Sequence, residues 1–484
     1  MQVLSVTSEY YPLIKTGGLA DVAGALPAAL APHGVKLRTL LPAYPAVLAK
    51  LGQDLTSAVQ WADLFGGPAR LLVADDLLLL DAPHLYARDG NPYLGPDGQD
   101  WPDNAQRFAA LSWAGYELAA GLHTEALGGF RPALVHGHDW QAGLLAAYLH
   151  HAPANIIRPA TILTIHNLAF QGLFDADLLT ALRLPAASFA PEGLEYYGWL
   201  SFLKAGLYYS DALTTVSPTY AQEIQSPAHG MGMDGLLRRR STALTGIVNG
   251  LDTQVWDPAS DAFLVKNYQK PAGKAANKAA LQTRFGLEVR PDVPLLCVVS
   301  RLTRQKGLDL LLANLPELLA ADAQLAVLGS GDGDLEAGFR QAAADHPAQI
   351  ACQIGYDEAL AHQLQAGADG ILVPSRFEPC GLTQLSALRY GTVPVVARVG
   401  GLADTVIDAN PAALQDGVAT GVQFLPVDQA GLAYALQRFL ALYADPKRFN
   451  AIQTRAMGRA VGWPQAAAAY VALYERLVTR GPAA

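Results

Sequence analysis

The sequence predicts an α/β protein of two successive Rossmann-type domains, and three observations carry that expectation. Short apolar runs rich in Val, Ile and Leu recur along the whole chain, each closing on Gly, Ser, His or Asn. Longer stretches dominated by Ala and Leu, strong helix formers, separate them. The length of 484 residues exceeds what one ordinary core accommodates. Continuous apolar strands suit parallel sheets covered on both faces, and their alternation with helices suits doubly wound sheets.

Taken in order, the first half offers strands at residues 3–7, 77–80, 134–136, 161–165, 212–216 and 246–248. The second half offers 295–300, 324–328, 351–354, 370–373 and 393–396. The boundary falls near Asn249-Gly250-Leu251-Asp252, giving an N-terminal domain at 1–250 and a C-terminal domain at 251–461. A polar, Lys-rich stretch at 266–278 precedes the second domain's first strong strand. A last helix, within 462–484, opens at Trp463-Pro464, where Pro is favoured in the first turn. Its Ala467, Tyr470, Val471, Tyr474 and Leu477 recur at helical spacing, a stripe that must pack on something.

Composition narrows the function. Charged residues make up 16% of the chain, too few for long charged tails. A net charge of −9 argues against broad affinity for nucleic acid, which needs a surplus of Lys and Arg. Three cysteines, Cys297, Cys352 and Cys380, fit a reducing compartment better than a disulfide framework. The first residues read as a strand rather than a leader, and no uncharged apolar run approaches the roughly 18 residues of a membrane span. The expectation is a soluble, cytoplasmic protein.

Five strand-end segments carry chemistry. Lys15-Thr16-Gly17-Gly18-Leu19-Ala20-Asp21 follows the first strand. Paired glycines admit a ligand close to the backbone, a helix start favours anions, and Lys15 adds charge. A tight turn with a solvated lysine would look the same, since the motif is neither G-x-G-x-x-G nor a Walker loop. His136-Gly137-His138-Asp139-Trp140 invites a metal, but neighbouring strand positions close a site poorly and no partner cluster is near. Asp139 beside an aromatic suits sugar hydroxyls better. Thr164-Ile165-His166-Asn167 again runs from strand into polar residues. Arg301 and Lys306, in Ser300-Arg301-Leu302-Thr303-Arg304-Gln305-Lys306-Gly307, can converge on a diphosphate and offset charge on a departing nucleotide.

The fifth segment, Pro374-Ser375-Arg376-Phe377-Glu378-Pro379-Cys380-Gly381-Leu382-Thr383-Gln384, is the most informative. A helix that ends near Gly391 follows it. Free N–H groups at Gly381–Thr383 can cradle a phosphate, with the Glu378 carboxylate just ahead to face a sugar. Cys380 has no His paired with it and reads as a packing or backbone residue. Asp332-Gly333-Asp334 has an acid-x-acid form that holds metals elsewhere, but in a Gly-rich run it reads as a turn. Gly17-Gly18-Leu19-Ala20-Asp21 also recurs as Gly400-Gly401-Leu402-Ala403-Asp404, as either coincidence in an Ala- and Gly-rich chain or two similarly built halves would produce.

Together these segments resemble the bacterial glycogen synthase and plant starch synthase family, from Lys15 to the last helix. The strongest matches are Lys15–Asp21, Arg376–Gln384 and Gly400–Asp404 in that order. The resemblance implies a GT-B fold, two Rossmann-like domains facing each other across a deep cleft, with the final helix crossing back to the N-terminal domain. It implies retaining transfer of glucose from ADP-glucose, or sometimes UDP-glucose, to the non-reducing end of an α-1,4-glucan. It implies no cofactor and no metal.

Carried over, Lys15, Gly17 and Gly18 become donor contacts. Asp139, His166 and Asn167 surround the glucose and the attacking hydroxyl. Asn249 and Tyr93 belong to the cleft. Arg301 and Lys306 become the diphosphate clamp, Tyr356 the adenine stacking partner, and Glu378 the essential acid. Cys380, Gly381, Leu382 and Thr383 form the sugar and phosphate cradle. Many retaining GT-B enzymes carry a second Glu eight positions after the first; here that position is Ser386, a departure the family shares. The sequence therefore offers no second acid for a double displacement, which favours attack on the same face. A UDP-glucose transferase with a small acceptor and a silent glucan-binding protein are the rival expectations.

Overall fold

The computed structural model describes residues 1–52 and 55–481. It divides into two compact units, one of Met1–Asn249 with the segment from Trp463 onward, the other of Gly250–Gly462.

One large sheet organises the first unit. Its strands are β1 (Gln2–Val6), β2 (Lys36–Pro42), β3 (Thr56–Trp61), β4 (Ala69–Ala74), β5 (Leu77–Asp81), β6 (Leu134–His138) and β7 (Ala160–Ile165). After a small sheet of β8 (Leu173–Phe174), β9 (Glu195–Tyr196) and β10 (Trp199–Ser201) come β11 (Ala212–Thr215) and β12 (Leu244–Gly246). Among the described residues the large sheet runs β12-β11-β7-β6-β1-β2-β5-β4-β3. From β12 to β5 all pairings are parallel; β4 and β3 fold back antiparallel at the β5 edge.

Strands β2, β3 and β4 lie outside the sequence expectation for a physical reason. β2 places Arg38 and Thr39 inside the sheet, breaking its apolar run. The Arg38 guanidinium reaches the Asp75 carbonyl at 3.3 Å and lies over the Phe130 ring. β3 and β4 form an antiparallel edge with exposed positions, so they lack the continuous hydrophobicity of a doubly covered strand. The strand expected at 246–248 ends instead at Gly246, where a Cβ would stand 2.3 Å from the Ser217 carbonyl oxygen.

The second unit holds β13 (Leu295–Val299), β14 (Gln324–Gly329), β15 (Ile350–Ile354), β16 (Gly370–Val373), β17 (Val393–Ala397) and β18 (Val422–Phe424). All pair in parallel, in the order β15-β14-β13-β16-β17-β18. Numbered within the unit this is 3-2-1-4-5-6, the doubly wound order. The seven parallel strands of the first unit repeat it with one strand added. In such sheets ligands bind at the carboxyl ends of the strands where the winding reverses. Those points are β1/β6 in the first unit and β13/β16 in the second.

The last helix, Pro464–Arg480, belongs to the first unit. Its Tyr470, Tyr474 and Leu477 pack with Val3, Leu134, Ile162, Val22 and Leu26 in one apolar cluster. Two lysines of the Lys-rich stretch before β13, Lys274 and Lys278, are buried, while Lys266 and Lys270 are exposed. Nζ of Lys274 donates to Thr392 Oγ1 at 2.8 Å and to the Gln365 and Tyr390 carbonyls, and Lys278 pairs with Asp369 at 2.7 Å. Among the described residues no helix is long and apolar enough to cross a membrane.

Candidate active site

The β1/β6 switch point of the first unit gathers Lys15, Gly17, Gly18, Tyr93, Asp139, His166 and Asn167. Just beyond β1, Glu9 is 3% exposed and acts as the hub. Its carboxylate accepts from the Thr16 N–H and hydroxyl at 2.5 Å each and from the Gly17 N–H at 3.2 Å. The Tyr93 hydroxyl donates to it at 2.5 Å and shares a further hydrogen bond with Ser8. Burial, then the Glu9 charge, holds that phenol protonated. Tyr93 therefore anchors Glu9 rather than presenting a free hydroxyl. Lys15 is ion-paired with Asp21 at 2.9 Å, across the glycine turn.

Asp139, just past β6, sits at φ 55°, ψ −166°, a region close to glycine's own. The strain is held by its carboxylate, which accepts from the His166 N–H at 2.6 Å and the Asn167 N–H at 3.4 Å. Burial pushes the carboxyl up to about 7. Retained strain of this kind points to function. Nδ1 of His138 and Nε2 of His166 are hydrogen-bonded at 3.0 Å. Burial pushes His138 down to about 3, and burial with the neighbouring His138 holds His166 far below its ordinary value. His166 is therefore a neutral hydrogen-bonding group. His136 is committed elsewhere, to Thr164 Oγ1 at 2.5 Å and the Tyr474 hydroxyl at 2.7 Å. Among the described residues no group of three His, Cys, Asp or Glu is arranged to hold a metal. At the end of this unit Asn249 is 6% exposed, and its Oδ1 has no hydrogen-bond partner among the described residues. A buried acceptor left open is costly, and a ligand hydroxyl would satisfy it.

The β13/β16 switch point of the second unit gathers Arg301, Lys306 and Glu378 with the residues that follow it. Nζ of Lys306 meets the Glu378 carboxylate at 2.6 Å, and the Ser375 hydroxyl donates to the same oxygen at 2.9 Å. Glycines make this approach possible. Gly307 has φ +70°, and a Cβ there would stand 2.0 Å from the Pro374 carbonyl oxygen. Gly400 has φ +41°, and its Cβ would stand 2.0 Å from the Glu378 carbonyl oxygen. Arg376 braces the loop with a bidentate pair to Asp309 at 2.7 and 2.8 Å. Arg301 is exposed, and its guanidinium makes no hydrogen bond or ion pair with any described residue.

The helix Thr383–Tyr390 opens directly after Cys380, Gly381 and Leu382, with Gly391 in the left-handed conformation closing it. Its Ser386 hydroxyl donates to the Thr383 carbonyl at 2.9 Å and accepts from Gln365 at 3.0 Å, a small packed group that offers no acid. Tyr356, beyond β15, is 67% exposed, an open ring suited to stacking. Asp332 and Asp334 lie at the start of the helix Gly333–Asp345, not in an isolated turn.

Sequence reasoning missed Glu9, the Asp309–Arg376 brace and Arg107. Arg107 is 1% exposed and ties the Leu85 and Pro92 carbonyls to Asn104, fixing the segment that carries Tyr93. Glu9 bore the same signal as Asp139, an acid just past a strand end.

Residues 2–239 match the family model described as the starch synthase catalytic domain, and residues 281–455 match glycosyl transferases group 1. The glycogen synthase of Rhodopseudomonas palustris strain HaA2 is 57% identical over 486 residues, covering 99% of each chain. The chain belongs to the glycogen and starch synthase family. That of Acidiphilium cryptum is 56% identical over 99% of this chain and 100% of its own. The catalytic domain of starch synthase IV from Arabidopsis thaliana, solved bound to ADP and acarbose, superposes with a TM-score of 0.88 at 30% identity over 99% of each chain. Sucrose-phosphate synthase from Thermosynechococcus elongatus, at 17% identity and a TM-score of 0.60, shares the fold. The protein is a glycosyltransferase of the GT-B fold.

Proposed function

We propose that this glycosyltransferase is a glycogen synthase, moving glucose from ADP-glucose onto the non-reducing end of an α-1,4-glucan with retention and release of ADP. The observation that carries the reading is the Lys306–Glu378 pair, set at the β13/β16 switch point beside the Gly381–Thr383 helix start. Likeness to glycogen synthases over the whole chain, and to a relative solved with ADP and acarbose, supports it.

The chemistry follows from charge. Breaking the bond between glucose and nucleotide leaves an oxocarbenium-like sugar and a diphosphate. Arg301, Lys306 and the open N–H groups before the helix stabilise that anion. Tyr356 stacks the adenine. Glu378, already neutralised by Lys306, suits orienting sugar hydroxyls better than attacking carbon. With Ser386 where a second acid would stand, attack on the same face guided by the leaving phosphate is the route the residues favour. Asp139, neutral His166, Asn167 and Asn249 offer hydrogen bonds to the glucose and the acceptor hydroxyl, while Lys15, Gly17 and Gly18 offer a donor contact. Because protein cations meet the diphosphate, the reaction needs no metal. A sparse, odd count of three cysteines fits a cytoplasmic setting.

Initial rates of glucose incorporation into glycogen, from ADP-glucose and from UDP-glucose, with and without excess chelator, test this. ADP-glucose should be used at least about tenfold more efficiently in kcat/KM. Activity should survive the chelator. Preference for UDP-glucose, transfer only to small acceptors, or loss in chelator restored by a divalent ion would each reject the corresponding part.

A further inference from the structure

A buried polar cluster in the second unit is not used by the transfer chemistry. Asp261 accepts from Nδ1 of His362 at 2.7 Å and from the Tyr390 hydroxyl at 2.6 Å. The His362 side chain is 1% exposed and lies flat on Trp256, ring centroids 3.8 Å and planes 9° apart. Phe263 meets it edge-on at 5.1 Å. Its other nitrogen, Nε2, is buried without a hydrogen bond to any described residue and lies 3.7 Å from Oε1 of Glu358. Glu358 is one turn earlier on the same helix, Glu358–Gly367. The second carboxylate oxygen of Glu358 accepts from the hydroxyl of Tyr356. A continuous polar path thus runs from the unit's interior to an exposed aromatic ring.

We propose that His362 and Glu358 are positioning residues for the donor nucleotide: His362, clamped by Asp261, Tyr390 and Trp256, holds Glu358, and Glu358 holds the Tyr356 ring where it stacks the base. The proposal rests on the assignment of Tyr356 as the stacking partner. An exposed tyrosine otherwise samples several rotamers, and fixing it beforehand removes that ordering cost from binding. Two neighbouring groups are engaged elsewhere. The Tyr268 hydroxyl donates to the Tyr390 carbonyl, and Arg284 is occupied by Asp357 and Gln363.

The charge of His362 gives the path a pH signature. Burial alone would lower its pKa; the contacts with Asp261 and Glu358 outweigh burial and raise it. Protonated, Nε2 attracts Glu358. As pH rises through the raised value the Nε2 proton leaves, Nδ1 keeps its bond to Asp261, and a lone pair faces the Glu358 carboxylate. The hold on Tyr356 is then lost, and KM for the donor climbs.

Donor titrations at saturating glycogen, for wild type, Tyr356→Ala, Tyr356→Phe, Glu358→Ala and His362→Gln, test this. Tyr356→Phe keeps the ring and removes the hydroxyl that Glu358 holds. It, Glu358→Ala and His362→Gln should each raise donor KM by about three- to tenfold, the scale of one hydrogen bond. Their kcat and glycogen KM should stay put, the mark of lost binding common to ground and transition states. The rise of donor KM with pH should vanish in His362→Gln. If Tyr356→Ala raises donor KM while Tyr356→Phe and Glu358→Ala match wild type, the relay is wrong and stacking stands. If Tyr356→Ala itself leaves donor KM unchanged, the stacking assignment fails and takes the relay with it. Should His362→Gln fold poorly, the pH series is run on Glu358→Ala: the rise of donor KM with pH should vanish there too, and a rise that persists overturns the His362 part of the relay.

Discussion

Arg301 and Lys306 lie five residues apart in one basic segment, yet their surroundings differ. Arg301 is exposed and makes no hydrogen bond or ion pair with a described residue, so Arg301→Ala removes little but the proposed contact to the diphosphate. Turnover should fall by at least about a hundredfold, the scale of one lost transition-state donor. The melting temperature should hardly move. Lys306→Ala should cost as much in turnover and also lower the melting temperature, because among the described residues it leaves the Glu378 side chain, 7% exposed, with only the Ser375 hydroxyl. Near-normal turnover in both variants would reject the clamp. Differential scanning fluorimetry beside steady-state rates separates the two effects. What the sequence revealed at this scale was residue type at a strand end. It did not reveal partnership: Tyr93 turned inward to Glu9, and Lys15 found Asp21, because both contacts depend on loops whose paths periodicity does not encode.

The repeated Gly-Gly-Leu-Ala-Asp segments open helices in both units, Gly18–Leu30 and Gly400–Thr405, and each buries its leucine. The glycines nonetheless answer different demands. Gly17, at φ −157°, has no atom of another described residue beyond its chain neighbours within 4 Å of the place a Cβ would take, whereas Gly400, at φ +41°, leaves no room beside the Glu378 carbonyl. Gly400→Ala should therefore cost on the order of 1–3 kcal/mol and, by shifting Glu378, lower turnover at least about tenfold. Gly17→Ala should stay within about 0.5 kcal/mol of wild type in unfolding free energy. Equal destabilisation of the two variants in urea melts would refute this contrast. Strands show the same limit of local pattern. Those buried on both faces, such as β13 and β16, announce themselves by unbroken apolar runs. The antiparallel edge at β3 and β4 and the polar interior of β2 do not, since their burial is decided by neighbours rather than by their own composition.

Which core the last helix joins is a question its own stripe of apolar residues leaves open, because any sheet face would satisfy that stripe. Here it completes the first unit, although more than two hundred residues of the second unit intervene in the chain. The Tyr474 side chain is fully buried, and its hydroxyl meets Nδ1 of His136 within β6. His136 in turn stacks on His138 at 4.2 Å, and Nδ1 of His138 is hydrogen-bonded with Nε2 of His166. Tyr474→Ala therefore opens a cavity in the cluster around Val3 and Leu134 and strands a buried ring nitrogen, a loss of about 3–5 kcal/mol. The loss belongs to the first unit, so amide exchange should accelerate in β1, β6 and β7 while β13, β14 and β16 keep their protection. Equal acceleration in both sets of strands would mean that the helix stabilises the molecule as one cooperative body, and acceleration confined to β13, β14 and β16 would place its stabilising role in the wrong unit.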